Sequence, residues 1–418
     1  MSAAAEAINP PNVKAAWPSA PLRSLCEFHN GLWKGKKGPF ETATVIRNTN
    51  FTLDGRIDLS DVAVLEVEAR QLAKRRLQKN DIIIEKSGGG PKQPVGRVVL
   101  FDLDVDEKYS FSNFTSAIRV VKPSEIDPAF LHRVLYWWYT SGRTEAIQSH
   151  STGIRNLDFN AYKDLVVPLP PLEEQKRIVA ILDQAFAALD RARALAEANL
   201  ADARALFKIK LDSTFKSFAS KECRIDELFE VGSSKRVLKS EWKDSGVPFY
   251  RGREVTRLAQ EGRVDNELFI SESHYDELAA KTGVPSPGDI LITAIGTIGN
   301  AYIVQEGDRF YFKDASVLWM RRTSEVLSAY VKLWIRSSSF YDQLERGNGA
   351  TVDTLTIGKL QGLLIPNFPE KDQERIVEDL IALERKVGCL ESLYKSKLTD
   401  LANLRQSLLQ KAFSGQLT

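Results

Sequence analysis

Two stretches of the chain place apolar residues at alternating steps of three and four, the spacing that lines one face of a long helix. From Ile178 the inward positions are Leu182, Ala185, Leu189, Ala192, Ala196, Asn199, Ala203 and Leu206. From Ile376 they are Leu380, Leu383, Val387, Leu390, Tyr394, Lys397, Leu401, Leu404 and Leu408. Each ladder follows a proline-rich start signal, Pro168-Leu-Pro-Pro-Leu-Glu-Glu-Gln175 or Pro366-Asn-Phe-Pro-Glu-Lys-Asp-Gln373. Proline costs nothing in the first turn of a helix, and acidic residues there meet the positive end of its dipole. The shift that pairs Gln175 with Gln373 also pairs Arg177 with Arg375, Leu195 with Leu393, Leu206 with Leu404 and Phe215 with Phe413. One gapless shift covering a whole helix indicates an internal duplication.

Small residues on the first ladder match large ones on the second, so the two seams are expected to pack on one another within one chain. A compact domain intervenes, so the helices are expected to lie antiparallel, with one globular half at each end of a rod. Asn199 and Lys397 fall on the seams, where a polar residue either fixes register or snorkels to solvent. Gln175 and Gln373 either cap their first turns or mark outer faces open to docking.

The pattern outside the ladders is one of short β-like runs between glycine-rich turns. Ala43–Ile46, Asp81–Glu85 and Arg97–Phe101 read as strands, with counterparts at Val247–Tyr250, Asp289–Thr293 and Ala301–Val304. Gly55-Arg-Ile-Asp58 matches Gly262-Arg-Val-Asp265, while the intervening loops differ. Each half closes on an aromatic helical stretch, Phe130–Trp138 or Tyr330–Ile335, whose spacing marks it as core. The fold class is therefore α+β: two similar α/β domains separated by two long antiparallel coiled-coil helices, with a pseudo-two-fold internal repeat. The expected boundaries are a tail at 1–20, a first domain at 21–168, a helix at 169–218, a second domain at 219–366 and a second helix at 367–418.

Composition narrows the function classes by exclusion. Cys26, Cys223 and Cys389 are isolated, and His29, His132, His150 and His274 show no paired-ligand spacing, so no metal site or disulfide framework is expected. No apolar run is long enough for a bilayer, and a soluble protein in a reducing cytoplasm is expected. Asn9-Pro-Pro11 resembles the element that holds adenine in amino-methyltransferases, but Asn12 stands where an aromatic is required and no glycine-rich cofactor loop accompanies it. Glu85 and Lys86 are adjacent and would point to opposite faces of a strand, so with Asp81 they make no nuclease cluster. Gly88-Gly-Gly-Pro91 lacks the order of a phosphate loop. No catalytic site is expected in this chain.

The net charge of +2 says little, but its distribution places basic clusters in the globular halves. A scaffold used twice with different loops suits reading two different things, because loops on a rigid frame carry binding chemistry. In the first half the candidate ligand-contacting residues are the Gly31–Lys37 loop with Lys34, Lys36 and Lys37, then Lys86, Lys92, Arg97, Arg155 and Asn156, the last two in a polar turn. In the second they are Lys235, Arg236, Arg251, Arg253, Thr293, Thr297, Lys313, Asn348 and Thr351.

The Pro168-Leu-Pro-Pro-Leu-x-Glu-Gln-x-x-Ile-Val179 motif and its second copy, each launching a long helix after a variable domain, resemble the DNA-specificity subunits of type I restriction–modification systems. Asn367-Phe368 departs from that pattern, which prefers Leu-Pro. The resemblance implies two target-recognition domains, each reading half of a bipartite double-stranded DNA site, so the candidate contact residues would meet a major groove, Arg or Lys reading guanine and Asn reading adenine, while other basic groups hold phosphates. It implies that catalysis belongs to partners: two modification subunits that use S-adenosylmethionine to methylate adenine N6, and restriction subunits that translocate and cleave DNA. This chain would bind no cofactor itself. The competing reading is a coiled-coil adaptor whose halves bind proteins.

Overall fold

The structure is a computed structural model, and it describes residues 17–33, 35, 37–90, 93–103, 108–151, 154–216, 221–345 and 354–417. The chain divides into two compact units, one made of 1–196 with 396–418 and the other of 197–395. Each contains one globular half and a share of both long helices.

In the first unit, Ser19–Pro21 (β1), Cys26–Asn30 (β2), Phe40–Ile46 (β3) and Ala63–Glu68 (β4) are followed by Asp81–Glu85 (β5), Ser87–Gly89 (β6), Val98–Phe101 (β7), Tyr109–Phe111 (β8) and Thr115–Val120 (β9). Gln148–Ser151 (β10), Ile154–Leu157 (β11) and Val166–Pro168 (β12) complete the set. An antiparallel sheet of order β2-β9-β5-β7 forms the centre. The unbroken run Ile82-Ile83-Ile84 is explained by burial on both faces. Ile82 and Ile84 pack with the aromatic helix Pro128–Thr140, whose Phe130, Leu131, Trp137 and Trp138 are buried, while Ile83 faces Ile46, Tyr109 and Phe111 of the β4-β3-β8 sheet. The aromatic stretch is core, as its spacing predicts.

The second unit repeats this plan. Its strands are Glu222–Arg224 (β13), Phe229–Gly232 (β14), Val247–Tyr250 (β15), Phe269–Ile270 (β16), Ile290–Thr293 (β17), Ala301–Ile303 (β18), Tyr311–Phe312 (β19), Val317–Arg322 (β20) and Leu364–Pro366 (β21). The orders β14-β20-β17-β18 and β16-β15-β19 reproduce those of the first unit, including one parallel pair in each smaller sheet, β3 with β8 and β15 with β19. Helix Ser328–Ile335 supplies buried Tyr330 and Trp334. The glycine-led turns also correspond, since Gly55 and Gly262 both adopt positive φ, where a side chain would be strained.

The two long helices run Leu172–Lys216 and Glu370–Phe413. In the first unit Ile178, Leu182 and Phe186 share a core with Leu409, Ala412 and Phe413, and Asp190 pairs with Arg405 at 3.2 Å. In the second, Leu211 and Phe215 share a core with Ile376 and Leu380, and Arg204 pairs with Glu391 at 3.4 Å. One sequence rises as the other falls, so the helices are antiparallel within each unit.

The strict heptad fails beyond the first turns of each helix. Ile178, Leu182, Ile376 and Leu380 are buried, and Leu189, Leu383, Leu401 and Leu408 are half-buried. Leu206 is 52% exposed, Leu404 49% and Leu390 38%. An α-helix drifts about 20° per heptad against a 3.5-residue repeat, so extrapolation from Ile178 over four heptads rotates Leu206 off the seam by roughly 80°. The ladder residue Ala203 stays buried, and half-buried Phe207 and buried Leu211 continue its face in place of Leu206. The same drift leaves Asn199 and Lys397 exposed, and neither is a buried register residue.

Residues 17–20 are ordered rather than part of a free tail: β1 pairs with β12, and Trp17 and Ala20 pack on the core. The second unit mirrors this with β13 on β21. The Asn9–Pro11 element lies outside the described residues.

Candidate nucleic-acid interface

In both units one rim gathers the ends of the first, third and smaller-sheet strands with the starts of their neighbours. In the first unit it holds the ends of β2, β3, β5 and β8. Ser112 N donates to Ile46 O (2.9 Å), Leu32 N to Phe111 O (2.8 Å) and Lys86 N to Phe114 O (2.9 Å). Gly31 is required there, because a Cβ would lie 1.8 Å from Ser112 O. The loop that follows carries Trp33, 63% exposed, and exposed Lys37, with Phe114 also exposed. In the second unit the same rim is made by Lys313 N donating to Tyr250 O (2.8 Å), Ser234 Oγ to Phe312 O (2.6 Å) and Ala294 N to Ser316 O (3.0 Å). Exposed aromatic and basic groups on a rigid strand-end platform suit a polyanion with stackable or groove-presented bases.

The candidates divide by what already holds them. Lys235, Arg236 and Lys313 come together on adjoining rim loops: Lys235 N donates to the Tyr311 hydroxyl (2.9 Å), Arg236 lies 3.4 Å from Asp314, and the Lys235 and Lys313 side chains are exposed. Thr297 is exposed as well. Lys86 is half-buried and donates from Nζ to Asn30 Oδ1 (2.8 Å). Asn156 accepts from Ser87 Oγ (2.5 Å). Arg155 and Asn156 stand on strand β11 of a β10-β11-β6 sheet, not in a turn. Arg155 is half-buried, 3.8 Å from Glu145. Lys34, Lys36, Lys92, Asn348 and Thr351 lie outside the described residues.

Other candidates are structural. Arg97 forks onto buried Glu85 at 2.8 and 2.9 Å and donates to Phe51 O and Asn48 O at 3.1 and 3.0 Å, so its donors are turned inward. The second unit keeps the backbone there and changes the bolt. Glu85 N donates to Arg97 O at 2.9 Å, and Thr293 N donates to Asn300 O at 3.0 Å. Thr293, buried, receives Asn300 N at 3.1 Å and donates to Thr297 O. Arg251 and Arg253 both bind Glu254, at 2.8 and 3.0 Å, and Arg253 also binds Glu267 at 2.7 Å. Burial alone would raise the Glu254 carboxyl. The hydrogen bonds from the Arg251 side chain and amide and from Arg253 outweigh it and hold the group down at about 2. Asp81 is likewise committed, to Arg119 at 2.7 and 2.8 Å. Among the described residues no group of three or more His, Cys, Asp or Glu could hold a metal ion, and no helix is long and apolar enough to cross a membrane.

The helix-start glutamines prove to be clasps rather than docking residues. Gln175, fully buried, accepts from Asp127 N (2.8 Å) and donates to Glu125 O (2.9 Å) and Pro170 O (2.8 Å). Gln373 accepts from Leu327 N (2.9 Å) and donates to Phe368 O (2.8 Å). Each joins a long helix to the loop before the aromatic helix of its own unit.

Sequence reasoning missed Lys163, on the short helix Phe159–Lys163. Its Nζ lies 4.9 Å from the Phe159 ring centroid and 5.1 Å from that of Phe28, and Lys86 Nζ lies 5.4 Å from the same Phe159 ring. Comparing the two motif copies would have flagged it, since Gln361 stands at the matching place.

A family model described as the type I restriction modification DNA specificity domain matches residues 16–198. A putative type I restriction enzyme specificity subunit of Haemophilus influenzae is 29% identical over 235 residues, 53% of this chain and 56% of that protein. The EcoBI specificity subunit of Escherichia coli is 24% identical, over 66% of this chain and 64% of its own length, so the chain spans less than two thirds of these two relatives. The EcoKI specificity subunit of Escherichia coli K12 is 25% identical over 96% of this chain and 89% of its own. Among solved structures, the HsdS subunit of Thermoanaerobacter tengcongensis aligns with a TM-score of 0.63 at 19% identity, covering 98% of each chain. A chain from a type I restriction–modification assembly aligns at 0.77, also at 19% identity, covering 98% of this chain and all of that one. The duplicated motif, the duplicated fold and these likenesses converge: residues 16–198 match the type I restriction modification DNA specificity domain, and the chain is similar along its length to type I specificity subunits.

Proposed function

We propose that this chain is the non-catalytic, sequence-specific DNA-binding subunit of a type I restriction–modification complex, with each rim reading one half of a bipartite duplex site. The observation that carries this reading is one scaffold built twice with different rim chemistry: exposed Trp33, Lys37 and Phe114 in one unit, and Lys235, Arg236, Thr297 and Lys313 in the other. A repeated frame with unlike loops is what reading two different half-sites requires, whereas an adaptor for proteins has no need of basic rims on both copies. The partners are two modification subunits, which would bring S-adenosylmethionine and methylate adenine N6, and restriction subunits that cleave.

Both long helices continue unbroken from one unit into the other, so their length is the element that would set the gap between half-sites. The test is single-molecule mapping of N6-methyladenine in cells carrying this chain with its modification subunits. The expected map is one bipartite motif. Adding one turn, about 5.4 Å, to both helices should widen its central gap by one or two base pairs at about 3.4 Å each. Methylation without a bipartite motif, or an unchanged gap in the lengthened variant, would refute the reading.

A further inference from the structure

The rim of the first unit holds two cations whose placement the fold itself does not require. Lys86 leaves the end of β5, and Lys163 ends the short helix that follows β11. Leu157 N donates to Lys86 O (2.8 Å), which fixes the two segments together. Both ammonium groups lie against one ring, Phe159, which meets Phe28 edge-on at 5.6 Å and stacks with Tyr162 at 6.2 Å. The carboxylates that flank this helix are engaged elsewhere. Asp158 accepts from the Asn160 and Ala161 amides, and Asp164 pairs with Arg23 at 2.5 Å. Among the described residues, neither Lys86 nor Lys163 has a carboxylate within ion-pair distance. Both are half-buried, and burial together with the neighbouring charge of Lys163 pulls the Lys86 ammonium below its ordinary range.

Two like charges gathered on an aromatic floor cost stability unless an anion comes between or beside them. The second unit shows that the architecture does without them. The equivalent short helix, Ile357–Gln361, ends in Gln361, and the residue after β17 is Ala294. From this juxtaposition we infer that Lys86 and Lys163 form a phosphodiester clamp, an anchor peculiar to the first unit that holds the DNA backbone while the exposed loop around Trp33 meets the groove. Asn30 Oδ1, which receives Lys86 Nζ and Ser116 Oγ at 2.8 and 3.3 Å, aims the first of the two cations. Lys163 is thus a backbone-contacting residue, without a base preference of its own.

This inference rests on the DNA-binding reading above, and the experiment separates the two. Equilibrium binding of a fluorescent duplex bearing the mapped site, and of a scrambled duplex, is measured between 50 and 200 mM salt. The protein is the full chain co-purified with its modification subunits. Lys163→Met and Lys86→Met keep aliphatic stems over the rings, so the folded unit is expected to persist. Each should lower the slope of log affinity against log salt by about 0.9 and weaken both duplexes by a similar factor, while Lys163→Arg restores the wild-type slope. Unchanged slopes in both Met variants, or a loss confined to the mapped duplex, would overturn the clamp while leaving the parent reading intact. If the wild-type complex binds neither duplex in a salt-dependent way, both readings fall together.

Discussion

The sharpest stability test concerns Gln175. Replacing it with Leu keeps the volume but strips partners from Asp127 N, Glu125 O and Pro170 O, all reached at 2.8–2.9 Å in the native unit. A buried backbone group left without a partner costs about 1–3 kcal/mol. The apolar side chain recovers part of this, so the net loss should be roughly 3 kcal/mol, a large share of the 5–15 kcal/mol that typically holds a domain together. Gln373→Leu strips two partners instead of three and should cost about 2 kcal/mol. The assay pairs urea unfolding with amide hydrogen exchange, because two units need not unfold in one step. Protection of the Asp127 amide should fall by about two orders of magnitude in Gln175→Leu, with that of Leu327 unaffected, and the converse should hold for Gln373→Leu. Gln175→Glu retains an acceptor for Asp127 N but turns a carboxylate toward two carbonyl oxygens, and should be at least as damaging. A Leu variant within 0.5 kcal/mol of wild type, or an Asp127 amide that exchanges as before, would show that the glutamine merely fills space.

Two further outcomes follow from the rim chemistry. Arg97→Met should destabilise the first unit by about 3–5 kcal/mol, since it leaves buried Glu85 charged and alone, and should not act as a simple loss of one phosphate contact. A folded, equally stable variant with a reduced salt slope would return Arg97 to the DNA-contact set. Glu254, whose carboxyl is depressed from 4.5 to about 2 in the folded state, contributes stability that is present above pH 4.5 and is lost as pH falls toward 2. Glu254→Gln should flatten the acid-unfolding profile of the second unit within that window, and an unchanged profile would contradict the assignment.

Much of this architecture was legible because burial writes itself into spacing. Ile82-Ile83-Ile84 and Ile290-Leu291-Ile292 are continuous apolar runs because each strand is covered on both faces, and the proline signals mark both helix starts. What was illegible had other causes. β10 and β11 are polar strands, Gln148–Ser151 and Ile154–Leu157, whose pairing is sustained by backbone hydrogen bonds and leaves no apolar alternation. The real helices do not keep the fixed period of the ladders, which turns Leu206, Leu390 and Leu404 outward and leaves Asn199 and Lys397 on the solvent side of their two alternatives. At the rim, charge was visible but its commitment was not. Arg97 and Lys86 look alike in a list of basic residues, yet one is forked onto a buried carboxylate and the other meets Asn30 and a ring. Nothing local to Lys163 announces its proximity to Lys86, because a strand end and a helix end are brought together by tertiary structure alone.

The split of the first unit between 1–196 and 396–418 bears on synthesis. The second unit is one continuous stretch and can close as soon as it has emerged from the ribosome. The first cannot, because Phe413 packs at 5.7 Å from Phe130 and 5.2 Å from Trp137, and Leu409 and Ala412 share that interior. Residues 1–196 must wait, with Trp137 uncovered, for residues 409–413, and through that interval their exposed apolar surface invites aggregation and proteolysis.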